Sequence, residues 1–236
     1  MMTEPQAAPP LGREQPMPAP VIHPLLEGPL SSARFAVVDV ETSGLSSHKH
    51  RLLQVGVVLV TGDGAVLGRW ETLLRAPWRP LGGRRIHGLS RRALRGAPRF
   101  SAVLPELVTQ LDGSILCAHN VAFDWPFLRR ALDRGGYVAP DPVRLCTLEL
   151  SRSLDPDRLR SHRLADLCDR YGVTLTRAHD AAADADATAA FLPLLLAEAG
   201  ITDLGGLSPH LRGETTAWPA APLPRARWRR REQPQR

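Results

Sequence analysis

The sequence predicts an α/β sandwich with a mixed sheet, because of two patterns in its central part. Segments rich in Val and Leu, which suit β-strands, come first along the chain. Amphipathic segments with helical spacing then alternate with a further apolar run. Strands followed by interleaved strands and helices are typical of layers packed about one core. At 236 residues the chain is long enough for one domain of ordinary size.

Three strands are expected at the start of the domain. Residues 35–40 and 52–60 are short runs dominated by valine and leucine, which suit buried strands. A Gly-Asp-Gly turn then leads into residues 65–74, where apolar side chains alternate with polar ones. These three segments predict an antiparallel meander.

Helical segments follow, most of them ended by residues that stop helices. Residues 101–111 place their apolar side chains on one face, and an Asp-Gly pair ends the segment. Residues 114–119 predict a buried strand, and residues 121–134 a helix that ends at a Gly-Gly pair. Three further helices are expected at residues 147–154, 162–171 and about 180–199. Pro193 is expected to kink or divide the last of these.

Both ends of the chain differ in composition from the predicted domain at residues 34–199. Residues 1–33 are dense in proline and predict a flexible leader. Residues 200–236 predict a flexible tail rich in Pro and Arg. Its last dozen residues hold six Arg against one Glu, and they account for most of the net charge of +6. We expect the tail to contact nucleic acid, to contact a protein, or to have no role.

Cysteine usage and the lack of long apolar runs exclude several protein classes. Cys117, Cys146 and Cys168 form no C-x-x-C pair, so neither a disulfide framework nor a zinc site is indicated. No segment approaches the ~20 apolar residues of a membrane-spanning helix. The first residues also lack the basic and apolar pattern of a signal peptide. We therefore expect a soluble, cytoplasmic protein without a membrane partner.

Two acids stand at the end of the first predicted strand, where apolar side chains would pack better. Asp39 interrupts the strand and Glu41 follows two positions later, so both carboxylates point to the same side. A divalent cation is the usual partner for such close negative charges, and oxygen ligands favour Mg²⁺ or Mn²⁺ over zinc. Gly44 allows a sharp turn just afterwards. The alternative is a solvated strand end with a helix-capping carboxylate.

A third acid, Asp124, lies where the fourth predicted strand runs into a helix. A carboxylate in the first helical turn interacts favourably with the helix dipole, which is a sufficient explanation for Asp124 taken alone. His119 and Asn120 end the strand, at an edge where ligands commonly bind in open α/β sheets. Structural hydrogen bonding is the alternative role for both.

The start of the last predicted helix adds a histidine and three acids. His179 precedes Asp180, Asp184 and Asp186, although acids near a helix N-terminus are also a common stabilising feature. The alanines before Asp184 favour this acid, because small side chains permit close backbone packing. For His179 taken alone, the alternative is an ordinary loop histidine. Together, Asp39, Glu41, Asp124, Asp184 and His179 would converge as a two-metal site with a proton acceptor beside it.

These residues lie in motifs that resemble the DnaQ-like, or DEDDh, exonucleases, the family of the proofreading subunit of bacterial replicative polymerase and of RNase T. The resemblance runs in unbroken order from about residue 34 to residue 199. The motifs are Val37-Val-Asp-Val-Glu-Thr-Ser-Gly44, Ile86-His-Gly-Leu-Ser90, Ala118-His-Asn-Val-Ala-Phe-Asp124, Cys146-Thr-Leu148, Ser161-His-Arg-Leu164 and Ala178-His-Asp-Ala-Ala-Ala-Asp184. The resemblance implies an RNase H-like fold, with a mixed five-stranded sheet and helices on both faces.

The same resemblance implies a metal-dependent 3′→5′ exonuclease. His179, in an H-x₄-D arrangement, would be the general base, beside two ions of Mg²⁺ or Mn²⁺. The implied metal ligands are Asp39, Glu41, Asp124 and Asp184. The residues implied to contact the terminal nucleotide are Thr42, Leu45, His119, Asn120 and Phe123.

The implied substrate is a nucleic acid with a free 3′ end, expected to be single-stranded, and the product is a nucleoside 5′-monophosphate. DNA is favoured, in proofreading or repair, with a polymerase or repair protein as partner. RNA processing is the alternative, because the family includes both DNases and RNases. A non-catalytic nucleic-acid-binding module would be expected to have lost some of the acids, and here all four are present with His179.

Overall fold

The computed structural model describes residues 27–76 and 81–221 and confirms the α/β sandwich. The strands are β1 (Arg34–Thr42), β2 (Leu52–Thr61), β3 (Val66–Leu73), β4 (Ile115–Ala118), β5 (Arg144–Cys146) and β6 (Leu211–Arg212). In this part of the chain they form one mixed sheet of six strands, in the order β3-β2-β1-β4-β5-β6. The sheet therefore has one strand more than the five that were expected.

The strand pairing decides which ends of the strands meet. The β1–β2 and β2–β3 pairs are antiparallel and form the predicted meander. β1 lies parallel to β4, and β4 lies parallel to β5. Because parallel strands end at the same edge of a sheet, the residues that follow β1 and β4 come close together.

Helices cover both faces of this sheet. They are α1 (Arg84–His87), α2 (Arg91–Arg95), α3 (Phe100–Leu111), α4 (Val121–Arg134), α5 (Thr147–Ser153), α6 (Leu164–Tyr171), α7 (Ala181–Glu198) and α8 (Leu204–Leu207). Single 3₁₀ turns lie at Leu30–Ser32 and Ser208–His210. One apolar core contains α6 and α7, and a second core, on the opposite face, contains α3 and α4.

Side chains of β1 alternate between these two cores. Phe35 and Val37 belong to the core of α7, whereas Val38 belongs to the core of α3 and α4. Successive side chains of a strand point to opposite faces. Asp39 and Glu41 continue the side of Phe35 and Val37, so they lie on the α7 face of the sheet.

Helix α7 is continuous through Pro193, so this proline does not divide the helix in two. Proline lacks a backbone N–H and removes one helical hydrogen bond, at a cost of about 3 kcal/mol. Leu192, Leu195 and Leu196 around it are fully buried. Each buried leucine stabilises the fold by about 1.5–3 kcal/mol, so tertiary packing offsets the local penalty.

Several short elements were not expected from the sequence. β5 has three residues and β6 has two, and α1 and α2 have four and five. Segments of this length are shorter than two periods of an apolar pattern, so the pattern does not show in the sequence. Pairing with a neighbouring strand, or packing on the domain, decides their conformation.

Residues 201–221 pack against the domain, beyond the boundary that the sequence suggested at residue 199. The buried indole of Trp218 stacks on Tyr137, whose hydroxyl donates to the carbonyl of Pro219 at 2.7 Å. A single indole in a polar segment has no periodicity to reveal its burial. The predicted leader as far as residue 26, and the Arg-rich end from residue 222, lie outside the described residues. Within residues 27–76 and 81–221, no helix is long and apolar enough to cross a membrane.

Candidate active site

Asp39 and Glu41 occupy the end of β1, next to an irregularity in the strand. The β1–β2 register shifts between Glu41 and Thr42, and such bulges redirect side chains next to functional sites. Gly44 then turns the chain with a positive φ of 152°, and a Cβ atom there would lie 2.6 Å from the His50 ring. The turn predicted at this glycine is therefore present, and only glycine fits it.

Asp124 projects from the first turn of α4 toward the end of β1. Its side chain is buried, and the backbone N–H of Asp124 donates to the carbonyl of Asn120 at 3.3 Å. The Asp124 carboxylate also raises the pKa of both Asp39 and Glu41, so it lies close to the acids of β1. Asp124 thus does more than complement the helix dipole.

A glycine in β2 lets the start of α7 lie directly on the sheet. Gly56 pairs with Asp39 in the β1–β2 register. A Cβ atom on Gly56 would lie 2.4 Å from the carbonyl oxygen of Ala181 and 2.8 Å from Cα of Ala182. Only glycine permits this approach between a strand and a helix backbone. It brings the first turn of α7 beside the acids of β1.

Asp180 serves as the N-cap of α7. Its Oδ1 accepts from two backbone N–H groups of the first turn, at 3.2 and 3.3 Å, and from the Gln54 amide at 3.4 Å. Its Oδ2 forms an ion pair with Arg177 at 3.0 Å. The buried Gln54 also accepts from the backbone N–H of Ala181 at 3.4 Å. Asp180 and Gln54 together fix the start of the helix on β2.

Asp184 and Asp186, the other two acids of this helix, have different partners. Asp186 forms an ion pair with Arg69 of β3 at 2.6 Å. Asp184 is buried, and its Oδ2 accepts from the backbone N–H of His179 at 3.1 Å. Single ligand atoms of Glu41, His179 and Asp184 lie within 4.8 Å of one another. The structure therefore brings Asp184, and not Asp186, to the end of β1.

His179 lies at the surface, just before α7, in an unusual backbone conformation. Its φ is +64°, in the left-handed region, where residues other than glycine are uncommon. The surrounding contacts must hold such a residue, and here the Asp184 carboxylate binds its backbone N–H. The imidazole is exposed beside the acids, so it is accessible to solvent and to a ligand.

Burial raises the pKa of all four acids, and neighbouring carboxylates of the cluster add to this effect at Asp39 and Glu41. Burial, followed by the carboxylates of Asp124, Asp184 and Glu41, raises the pKa of Asp39 well above its usual range. Burial, with Asp184, Asp180 and Asp124 nearby, raises the pKa of Glu41 to about 8. Burial raises the pKa of Asp124 to about 8 and that of Asp184 to about 6. Carboxylates that oppose each other's ionisation form a site that suits cations.

The donor atoms of this cluster fit divalent metal ions. Oδ1 of Asp184 is buried and has no hydrogen-bond partner among the described residues. A buried carboxylate oxygen without a partner is costly, and a cation would satisfy it. Oxygen ligands from carboxylates are those that Mg²⁺ and Mn²⁺ prefer.

The ends of β1 and β4 also carry Thr42, Leu45, Asn120 and Phe123. Thr42 is buried, and its hydroxyl donates to the carbonyl of Gly44 at 2.9 Å. Leu45 is 87% exposed, so its side chain is available to an apolar ligand surface. Phe123 is half-buried against Phe127, and Asn120 is exposed at the start of α4.

His119 differs, because both of its ring nitrogens have partners inside the protein. Nε2 lies 3.0 Å from the carbonyl of His162, and Nδ1 lies 3.1 Å from the hydroxyl of Thr147. Burial lowers the pKa of His119 to about 4, so the ring is neutral at pH 7. A carbonyl only accepts, so Nε2–H donates to it and Nδ1 accepts from Thr147. This arrangement leaves neither nitrogen for a substrate.

Sequence reasoning missed two residues that build the site. Gly56 and Gln54 lie opposite Asp39 and Glu41 in the β1–β2 register. A glycine inside an apolar strand often marks a close backbone approach, and a glutamine there is a buried polar group. These two signals were available at residues 52–60 and could have located the docking position of α7.

Comparison with known proteins agrees with the fold and with the motifs. A family model described as exonuclease matches residues 36–192. The PolC-type DNA polymerase III of Halalkalibacterium halodurans is 35% identical over 179 residues, which is 75% of this chain. The match spans only 12% of that polymerase.

Two solved structures share the architecture. Exonuclease X in complex with 5′ overhanging duplex DNA has 25% sequence identity and a TM-score of 0.56, covering 72% of this chain and 95% of that chain. The nuclease domain of 3′hExo, a DEDDh family member bound to rAMP, has 14% identity and a TM-score of 0.61. The match covers 72% of this chain and 94% of that domain. Given the family model and the PolC-type relative, this chain belongs to the DnaQ-like, or DEDDh, exonuclease family.

Proposed function

We propose that the chain is a metal-dependent 3′→5′ exonuclease that removes nucleoside 5′-monophosphates from single-stranded DNA ends. The observation that carries this proposal is the cluster of acids from β1, α4 and α7, in which the buried Oδ1 of Asp184 has no hydrogen-bond partner within residues 27–76 and 81–221. Carboxylates so close to one another would repel both each other and a phosphate unless cations joined them. The proposal therefore requires metal.

Asp39, Glu41, Asp124 and Asp184 would hold two ions of Mg²⁺ or Mn²⁺. When bound, these ions would acidify a water molecule and neutralise the charge that develops at the phosphate. Asp184 is held by the backbone N–H of His179, and Asp124 is buried in the first turn of α4, so both carboxylates are positioned before ligands arrive. Such preorganisation is what a transition state of high negative charge requires.

His179 is proposed as the general base. Its exposed ring lies beside Glu41 and Asp184, where it can accept the proton of the attacking water and pass it to solvent. Attack of that water on the terminal phosphodiester breaks the bond to the 3′-oxygen of the preceding nucleotide. The products are a nucleoside 5′-monophosphate and a strand that is one nucleotide shorter.

Residues at the ends of β1 and β4 are proposed to hold the terminal nucleotide. Leu45 offers an exposed apolar side chain, and Phe123 an aromatic ring, for contact with an unpaired base. Thr42 would contact the nucleotide through its backbone, and Asn120 through its amide. His119 would position the end of β4, because its ring nitrogens are already bonded to other residues.

DNA is favoured over RNA because the PolC-type relatives are DNA polymerases and Exonuclease X was solved with DNA. The chain would then act in proofreading or repair, with a polymerase or repair protein as partner. RNA processing is the alternative outcome, since recognition of RNA depends on contacts to the 2′-hydroxyl.

Matched DNA and RNA oligonucleotides, labelled at either end, test this proposal. With Mg²⁺ or Mn²⁺, a 5′-labelled DNA strand should give a ladder of shortened products, and a 3′-labelled strand should release labelled mononucleotide at once. Asp39→Asn should abolish both reactions, whereas the matched control Asp186→Asn should not, because Asp186 pairs with Arg69 at the surface. Faster cleavage of RNA would indicate RNA processing. Lack of hydrolysis with either metal would indicate a non-catalytic module.

A further inference from the structure

Away from the acids, four arginines line a single cavity. The cavity has a volume of about 240 Å³, and its lining includes Arg51, Arg75, Arg99 and Arg134. We call it the arginine pocket. Its arginines come from the loop before β2, the segment after β3, the residue before α3 and the end of α4. Four separate parts of the chain thus contribute an arginine to the lining of the same cavity.

The arginine pocket carries an excess of positive charge, and the one acid found to act on Arg134, Asp133, does not line the cavity. Among the described residues that line it, none is Asp or Glu. The ion pairs found in residues 27–76 and 81–221 involve other arginines and leave these four out. Four arginines around a cavity whose described lining holds no acid create a local field that attracts anions. Arginine is suited to phosphate, because its planar fork can donate two parallel hydrogen bonds.

Two of these arginines also brace the loop that follows β1. Arg51 and Arg134 both donate to the carbonyl of His50, at 3.0 and 3.5 Å, and Arg134 donates to the carbonyl of Ser47 at 3.1 Å. Burial, followed by the guanidinium groups of Arg51 and Arg130, lowers the pKa of Arg134. A bound anion would relieve this repulsion between like charges.

The other two arginines are free of such structural contacts. The backbone N–H of Arg75 donates to the carbonyl of Pro98 at 2.8 Å, which holds Arg75 beside Arg99. Both side chains are exposed, and neither forms an ion pair with a described residue. The first turn of α3 contains no acid, so its helix dipole adds to the positive field. Arg75 and Arg99 can therefore be changed without loss of a known structural bond.

The arginine pocket lies within reach of a strand bound at the acids. Asp124 and Arg134 are both in α4 and are ten residues apart, which corresponds to roughly 15 Å along a helix. The loop from Gly44 to His50 joins the proposed nucleotide site at Leu45 to the carbonyl that Arg51 and Arg134 bind. A strand of a few nucleotides spans this distance, whereas a dinucleotide does not.

We propose that the arginine pocket binds backbone phosphates of the substrate, several nucleotides away from the bond that is cleaved. This inference rests on the proposed exonuclease function. Phosphate contacts of this kind add affinity for any sequence and are weakened by salt. A free phosphate or mononucleotide would present the same chemistry, so the experiment must distinguish it from a strand.

The test compares Arg75→Gln/Arg99→Gln with wild type and with a matched control, Arg152→Gln/Arg158→Gln. The control removes two exposed charges from α5 and the loop after it. Hydrolysis by the full chain is measured at fixed Mg²⁺ over a range of salt, with a longer DNA oligonucleotide and with a dinucleotide. Inhibition by inorganic phosphate is measured in parallel.

For the oligonucleotide, the Arg75/Arg99 variant should show a raised KM and an unchanged kcat. The slope of log KM against log salt should fall by roughly 1.4, because the variant loses two phosphate contacts and each contributes roughly 0.7 on a single strand. Dinucleotide hydrolysis and the control variant should match wild type. An unchanged salt slope in the Arg75/Arg99 variant would overturn the proposal. Altered inhibition by inorganic phosphate with an unchanged slope would overturn it in favour of a free phosphate ligand. If wild type hydrolyses neither substrate, the proposed function fails first, and this inference fails with it.

Discussion

Replacement of Gly56 by alanine should separate the start of α7 from the acids of β1. The new Cβ atom would lie 2.4 Å from the carbonyl oxygen of Ala181, and ordinary contact begins at 3.4 Å. The helix must therefore retreat by about 3.4 − 2.4 = 1.0 Å. A displacement of roughly 1 Å in a catalytic group typically lowers the rate about 100-fold. Overpacking of this kind also costs about 1–3 kcal/mol of stability.

Two measurements on Gly56→Ala check this expectation. The rate of single-strand hydrolysis should fall about 100-fold at saturating Mg²⁺. The Tm should fall by about 2–4 °C for each kcal/mol lost, with a cooperative unfolding transition retained. Gly68→Ala is the matched control in β3, because the nearest atom to its new Cβ would be Cδ1 of Leu59 at 3.8 Å. It should keep the wild-type rate.

A Gly56→Ala protein that is destabilised but hydrolyses DNA at the wild-type rate would refute the reasoning. It would mean that the position of α7 relative to Asp39 does not limit catalysis. Equal losses of rate in Gly56→Ala and Gly68→Ala would also contradict the reasoning. Of these two glycines, only Gly56 would bring its new Cβ atom against backbone atoms.

Three further predictions concern the acids and the histidine. Excess chelator should abolish hydrolysis and added Mg²⁺ or Mn²⁺ should restore it, so full turnover in chelator would exclude metal dependence. His179→Ala should lose about 10²–10⁴-fold in rate while a metal titration stays close to wild type. Loss of metal binding in this variant would instead make His179 a ligand. Mg²⁺ should raise the Tm of wild type and of Asp186→Asn more than that of Asp184→Asn, because ligands stabilise the folded state that binds them. An equal shift in Asp184→Asn would remove Asp184 from the metal site.

Much of the fold could be predicted from local patterns. The strands at residues 35–40 and 52–60, and the helices at residues 101–111 and 121–134, match β1, β2, α3 and α4 closely. Each has enough residues for its period of two or 3.6 to show in the sequence. The predicted helix at residues 162–171 begins two residues later in the structure, at Leu164.

Predictions failed where nonlocal contacts decide the structure. β6 exists only because residues 211 and 212 pair with β5, and Trp218 is buried because Tyr137 and Trp125 enclose it. Pro193 was expected to kink or divide the last helix, and of these two outcomes the division is excluded, because α7 is one piece with buried leucines around the proline. These outcomes depend on partners more than 50 residues away or on packing summed over a whole face.

The sequence by itself determined the chemistry of the candidate site. It supplied acids at the ends of predicted elements and a histidine beside them, because carboxylates interrupt an apolar pattern and are therefore visible in it. Their order along the chain then indicated the exonuclease family. The roles of Asp39, Glu41, Asp124, Asp184 and His179 remain predictions that the variants above can test.

Only the tertiary structure decided how the acids near α7 divide their roles. Asp180 caps the helix and Asp186 pairs with Arg69. Asp184 lies beside Glu41, and its buried Oδ1 has no hydrogen-bond partner in the part of the chain that the structure describes. Neighbours along a helix differ by about 100° in direction, so their surroundings depend on where the helix docks. That docking depends on Gly56, a residue more than 100 positions away, because backbone atoms of α7 occupy the space of its missing side chain.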